Sequence, residues 1–239
     1  MRGRNSMKRI TLIVGHFGSG KTEFSMNLIM DMKKKNERVA ILDLDIANPY
    51  FRSRENQAML LENGIDIHYN SYGYDITEDM PALSATIRAP LEDGDCKVVA
   101  DVGGNNSGAM VLNQFRKYFT DDESEMLCVM NANRPDTESC ELMIESIRSL
   151  EDITGLKAKG LINNTHMLKE TTADDIIKGY RMCQEVSEIT GYPIVWNTCR
   201  KDLLPELEKR LAEEGIGDEF VIYPIQLYMR PDWLDKPVY

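Results

Sequence analysis

The chain has 239 residues, enough for one large α/β domain, and its 42% hydrophobic and 28% charged residues are ordinary for a globular protein. A formal net charge of −11 argues against a nucleic-acid backbone or an anionic membrane as the main partner. Five cysteines at wide, irregular spacings without a C-x-x-C pair argue against a disulfide framework or zinc site and point to a reducing, cytoplasmic location, and no apolar run reaches the length of a membrane span.

Residues 1–7 are expected to form a flexible tail ahead of a single domain over 8–239. The first strand is predicted over 9–14. It runs into Gly15-His16-Phe17-Gly18-Ser19-Gly20-Lys21-Thr22, a complete G-x-x-x-x-G-K-[ST] loop, and then into a helical stretch over 22–35. Strand, glycine-rich loop and helix in that order form the context the motif needs. The loop's backbone N–H groups would cradle phosphates, Lys21 would reach the β- and γ-phosphates, and Thr22 would ligate Mg²⁺. A chance glycine-rich turn is the competing reading, and His16 can equally contact a phosphate or face solvent. Lys33, Lys34 and Lys35 close the helix, where cations suit its dipole.

A second strand over 39–42 ends in Asp43-Leu44-Asp45. Carboxylates at i and i+2 of a strand point the same way. One can hold a Mg²⁺-bound water and the other can orient a water for attack on a γ-phosphate. Residues 44–95 break the regular rhythm, with Asn48-Pro49-Tyr50-Phe51-Arg52-Ser53-Arg54-Glu55, then Tyr69, Tyr72, Gly73 and Tyr74, and a short helix predicted over 81–91. This reads as an elaborated crossover of the same domain, and long irregular connections are more often functional than structural. The third predicted strand, 98–102, carries Asp101 at its end, as a metal-side carboxylate beside Thr22. Gly103-Gly104 and Gly108 follow in a loop able to respond to a γ-phosphate. No glutamate follows Asp101, which disfavours an ATPase with a catalytic Glu at that point.

Further strands are predicted over 126–130, 160–162 and 194–196, and helices over 110–119, 137–154, 171–190 and 203–214. Met143, Ile147 and Leu150 make one apolar stripe of the 137–154 helix. The alternation predicts an α/β fold, a doubly wound, mostly parallel sheet with helices on both faces and ligands outside the carboxyl ends of its strands. The fifth predicted strand ends Asn163-Asn164-Thr165-His166. An Asn amide offers both the donor and the acceptor that adenine N6 and N7 require. GTPases of related fold carry a guanine-accepting Asp where this chain has His166, so the pattern favours adenine over guanine, with an Asx turn as the competing reading. Asn164, Asn197 and Thr198 are candidates for the same pocket.

Together, the glycine loop, Leu42-Asp43-Leu44-Asp45, Asp101 with its Gly-Gly loop, and Asn163 resemble the MinD/ParA/ArsA-like P-loop ATPases, a group overlapping the cobyrinic acid a,c-diamide synthase superfamily. The resemblance runs over residues 8–200. It implies ATP and Mg²⁺ as cofactors, Lys21 and Thr22 at the phosphates and metal, Asp45 as the water-positioning residue, Asp43 and Asp101 near the metal, and Asn163 at the adenine. The group's loop carries a second lysine directly after its first glycine. Here His16 stands there, so a dimer formed through that lysine is not expected. A Lys-Pro pair after the second strand, typical of the superfamily's synthetases, is also absent, and Lys236-Pro237 is the only such pair. The expected function is a slow, Mg²⁺-dependent ATPase switching a protein partner. A small-molecule kinase or ligase, using Arg52, Arg54 or Arg88 over the phosphates, is one alternative. A nucleotide-binding regulator without turnover is the other.

Overall fold

Continuous apolar runs become buried central strands of a parallel sheet. The computed structural model describes residues 7–35, 38–45, 54–69, 80–104 and 106–228. In chain order these form β1 (Ile10–Val14), α1 (Lys21–Lys34), β2 (Arg38–Leu44), α2 (Arg54–Glu62), β3 (Asp66–Tyr69), α3 (Met80–Glu92), β4 (Cys96–Val102), α4 (Asn106–Val111), a 3₁₀ stretch (Leu112–Tyr118), β5 (Ser124–Met130), α5 (Cys140–Thr154), β6 (Ala158–Asn163), α6 (Ala173–Thr190), β7 (Ile194–Arg200), α7 (Leu204–Glu214) and β8 (Ile222–Ile225). The sheet order is β3-β2-β4-β1-β5-β6-β7-β8. Each of these pairings is parallel.

Strand alternation assigns the two faces. Leu12, Leu42, Ala100 and Cys128 pack with Met143 and Ile147 of α5, while Ile13, Ile41 and Val99 pack with Phe24 and Ile29 of α1. A third cluster joins Tyr180 of α6 to Leu207 and Leu211 of α7 and to Phe220. Asp43 and Asp101 share the parity of Ile41 and Val99, so the same alternation that fills the core delivers both carboxylates to the α1 side. β1 lies between β4 and β5, at the point where the strand order reverses and a crevice opens at the carboxyl ends.

α1 is braced from far along the chain. The Asn27 side chain donates to Gln226 O at 2.9 Å and accepts from Gln226 N at 2.8 Å. Tyr228 N donates to the Glu23 carboxylate at 2.5 Å, and Tyr223 Oη donates to Asp31 at 3.0 Å.

Among the described residues the sheet has eight strands where the sequence pattern predicts six. The additional ones, β3 and β8, are four-residue edge strands, Asp-Ile-His-Tyr and Ile-Tyr-Pro-Ile. β3 alternates polar and apolar residues, and β8, though it closes an apolar run over 220–225, carries a proline that suits an edge. β3 pairs with β2, so part of the irregular 44–95 segment belongs to the main sheet. Positions 46–53 and 70–79, including Arg52, Tyr72, Gly73 and Tyr74, lie outside the described residues. Residues 1–6 of the expected tail do so too, whereas Met7 packs against the α1-side core and accepts from Lys97 Nζ at 3.2 Å. The helix expected over 110–119 is α4 continued as a 3₁₀ stretch. Among the described residues no helix is long and apolar enough to cross a membrane.

Candidate functional site

The loop over 15–20 closes onto α1 through Gly20, which holds the left-handed conformation (φ 85°) that a side chain would strain, and no side chain caps the helix. The first-turn N–H groups of α1 therefore face the loop's interior with the positive end of the helix dipole behind them. Lys21 is only 6% exposed, and its Nζ donates to His16 O at 3.1 Å. Burial holds its amine below the usual lysine range, with Asp101 and Asp45 pulling in the opposite direction. Thr22 Oγ1 donates to Asp101 Oδ2 at 2.7 Å, and Ser25 Oγ donates to Asp101 Oδ1 at 3.2 Å. Asp101 is buried, and burial pushes its carboxyl up to about 6 against the influence of Lys21 and these hydroxyls.

Asp43 stands opposite Asp101 in the β2–β4 register, and its Oδ1 accepts from Asp45 N at 3.2 Å. The loop after β4 closes the arrangement. A Cβ at Gly103 would sit 3.1 Å from Asp45 Oδ1, and one at Gly104 would sit 2.7 Å from both Lys21 Nζ and Phe17 N. The fold thus brings Lys21, Thr22, Asp43, Asp45, Asp101 and the Gly103-Gly104 turn to the mouth of one glycine loop. The Phe17 ring points away, 64% exposed. His16 Nδ1 lies 3.7 Å from Asp136 Oδ2, at the rim.

The residues expected at the base are arranged differently. Asn163 is fully buried. Its Nδ2 donates to Ile176 O at 2.9 Å and to Asn197 Oδ1 at 3.0 Å, and its Oδ1 accepts from Thr165 N at 3.2 Å. Both amide hydrogens are spent inside the protein, so none is left for adenine, and Asn163 acts as a strut. Asn197 is the buried partner of that strut and is likewise withdrawn from a pocket. Asn164 donates to Ser19 O at 2.7 Å and accepts from the Thr198 hydroxyl, tying the loop to β6 and β7.

His166 joins Asn164 in facing the loop, with Nε2 3.0 Å from where a Gly20 Cβ would lie. Its Nδ1 accepts from Leu168 N at 3.3 Å, which assigns the ring proton to Nε2. Burial, and then the nearby Arg134, lower its pKa to about 4, so the ring is neutral near pH 7.

Sequence reasoning missed the β5–α5 loop. Buried Asn131 accepts from Asn133 N at 3.0 Å and His166 N at 3.3 Å, and Arg134 Nε donates to Gly18 O at 2.9 Å. The only signal was a polar run, Asn131-Ala132-Asn133-Arg134, at the carboxyl end of an apolar strand. Of the arginines expected over the phosphates, Arg52 and the Arg54 side chain lie outside the described residues, and Arg88 is exposed on α3.

The family model described as the CobQ/CobB/MinD/ParA nucleotide binding domain matches residues 10–203. Chloroplast FtsY from Physcomitrella patens is similar in fold at 17% identity and a TM-score of 0.52, with 80% of this chain and 58% of that one covered. The signal recognition particle 54 kDa protein from Aeropyrum pernix K1, solved in complex with GDP, aligns at 19% identity and a TM-score of 0.53, over 80% of this chain and 41% of that one. FtsY from Thermotoga maritima aligns at 17% identity and a TM-score of 0.51, over 77% and 59%. The chain thus spans between about two fifths and three fifths of these proteins' lengths, and such identities show a shared fold alone. No curated protein matches the sequence.

Proposed function

The chain belongs to the CobQ/CobB/MinD/ParA nucleotide-binding domain family, and on that premise we propose that it is a Mg²⁺-dependent ATP-binding protein, a slow ATPase whose nucleotide state is read by a protein partner. One observation carries the reading: buried Lys21 and the Thr22–Asp101 pair stand at the mouth of the glycine loop, with the Gly103-Gly104 turn laid against Lys21 Nζ and Phe17 N. Ser19 adds support, because its hydroxyl is buried in that loop with no hydrogen-bond partner among the described residues. A phosphate oxygen would satisfy it.

The donor set suits Mg²⁺, which prefers oxygen ligands and keeps several waters. Thr22 Oγ1 would ligate it, with Asp101 and Asp43 beside it on the α1 face. Among the described residues no cluster of His, Cys, Asp or Glu could hold an ion alone, so phosphates and water would complete the shell. The ion would neutralise phosphate charge. Asp45 follows Asp43 at the end of β2, within electrostatic reach of Lys21 and Asp101, and would orient the attacking water. A γ-phosphate would displace Gly104 from Lys21 and Phe17, and that movement would be what a partner reads. Phosphate release measured with ATP and Mg²⁺ and no added acceptor tests the proposal. Slow release is expected. Strict dependence on an acceptor would make the protein a kinase or ligase, and no release at all a binding regulator.

Asp45→Asn is expected to retain ATP binding and slow hydrolysis at least about tenfold, since the amide keeps the shape but not the charge that aligns water. Single-turnover assays check this, and a larger loss in Asp43→Asn than in Asp45→Asn would reverse the two assignments. ATP is expected to compete better than GTP for the site. Guanine N1 and N2 need an acceptor, whereas His166 presents Nε2–H, a donor. Equal displacement of a labelled ATP analogue by GTP would overturn the adenine preference.

A further inference from the structure

Arg134 differs from the arginines that pair with carboxylates; Arg116 also lacks such a pair among the described residues, but it donates to Phe119 O and Gly155 O rather than to the glycine loop. Arg9 pairs with Glu123, Arg38 with Asp93, Arg181 with Glu214, Arg200 with Asp202, and Arg210 with Asp174, Glu213 and Glu214. In a chain with 39 acidic and 28 basic residues that pairing is the expected fate of an arginine. Arg134 has no carboxylate partner among the described residues, and its one hydrogen bond runs from Nε to Gly18 O at 2.9 Å. It is half-buried, and its guanidinium carbon lies 3.2 Å from where a Gly18 Cβ would project.

The loop that carries Arg134 is held in place. Thr137 Oγ1 donates to Asn131 O at 2.7 Å, Asn133 donates to Asp175 Oδ1 at 2.9 Å, and Lys178 Nζ donates to Asn133 Oδ1 at 3.0 Å. A fixed backbone and an anchored Nε leave the two Nη groups as the free edge of a planar donor fork, a shape matched to phosphate oxygens. The charge balance of the pocket also calls for it. Lys21 shares the glycine loop with Asp43, Asp45 and Asp101, and a triphosphate would add more negative charge to a site with one buried ammonium.

We infer that Arg134 is a nucleotide-contacting residue, supplying from within the same chain a second cation, beside Lys21, to the phosphates of a nucleotide held over residues 15–22. The assignment rests on the nucleotide-binding reading above. Position 134 reaches the loop because β5 is the sheet neighbour of β1, so the loop after β5 and the loop after β1 open side by side.

Titration calorimetry of the wild-type chain, Lys21→Ala, Arg134→Ala, Arg134→Gln and Arg134→Lys, with Mg²⁺ and ATP, ADP or adenosine, decides the matter. Gln keeps an N–H for Gly18 O without the charge, so it serves if Arg134→Ala does not fold. Arg134→Ala and Arg134→Gln are expected to lose about tenfold to a hundredfold in ATP affinity. Arg134→Lys should recover part of that loss, and the loss should shrink from ATP to ADP and vanish for adenosine. The salt dependence of ATP binding should also be shallower in Arg134→Gln, because one cationic contact is gone. Wild-type affinity in Arg134→Gln, beside a loss in Lys21→Ala, would overturn this inference and leave the nucleotide reading intact. An equal loss for ATP and adenosine, or a loss in Arg134→Ala that Arg134→Gln fully restores, would make Arg134 only a brace for Gly18. Failure of the wild-type chain to bind ATP would remove both readings.

Discussion

Lys21→Ala is expected to weaken ATP binding by about tenfold to a hundredfold, the value of a charge-assisted contact of about 1.5–3 kcal/mol. Lys21 is already desolvated, at 6% exposure, and already aimed into the loop, where Nζ donates to His16 O at 3.1 Å. Its reorganisation on binding is therefore small, and little of the contact's strength is lost in moving the side chain. Removing it leaves Arg134 as the remaining cation against Asp43, Asp45 and Asp101, so the mutant would attract a triphosphate less strongly than the native chain. Nucleotide-free stability should change little or rise, because a buried ammonium held against its desolvation cost is gone. Calorimetry checks the affinity, and an unchanged dissociation constant would end the phosphate-loop reading.

Gly179→Ala is expected to destabilise the fold by about 1–3 kcal/mol, the usual cost of overpacking, and to weaken nucleotide binding with it. Gly179 lies on α6 where the helix crosses the carboxyl end of β6. A methyl group there would sit 2.0 Å from Thr165 Oγ1, 2.5 Å from Thr165 Cβ and 2.4 Å from Asn163 Oδ1. None of these atoms is free to give way. Thr165 Oγ1 accepts from Ala132 N at 3.0 Å, and Asn163 Oδ1 accepts from Thr165 N at 3.2 Å. Relief would push α6 off the sheet or break the buried Asn163–Asn197 bond, and either displaces Asn164 from Ser19 O. Urea denaturation measures the loss. Stability equal to the native chain's would mean that α6 does not approach the β6 end so closely.

The glycine-loop end of the candidate site was readable because each of its signals is local. The glycine loop is a contiguous motif, and Asp43, Asp45 and Asp101 announce themselves as carboxylates ending apolar strands. Strand parity alone then predicts that Asp43 and Asp101 share the face that α1 covers. The base side was not legible, because an Asn that reads a base and an Asn that ties strand ends together are the same residue in the same pattern. Asn163 and Asn197 differ from base readers only in the neighbours that the β6–β7 pairing and the α6 crossing give them. Arg134 was hidden for a related reason. It lies 116 positions from Gly18, and nothing in the chain states that β5 would settle next to β1. The edge strand β3 escaped because a half-exposed four-residue strand needs no apolar run, and β8 because Pro224 interrupts the apolar run over 220–225 as a strand signal.

The bonds joining Asn27 to Gln226 span 199 residues, and Tyr228 reaches Glu23 across 205. A helix that opens at residue 21 thus borrows part of its support from a segment made 199 residues later. Until that segment is made, the glycine loop and its lysine exist without that clasp. The brace on α1 then arrives with the segment that follows β8, long after the loop it steadies.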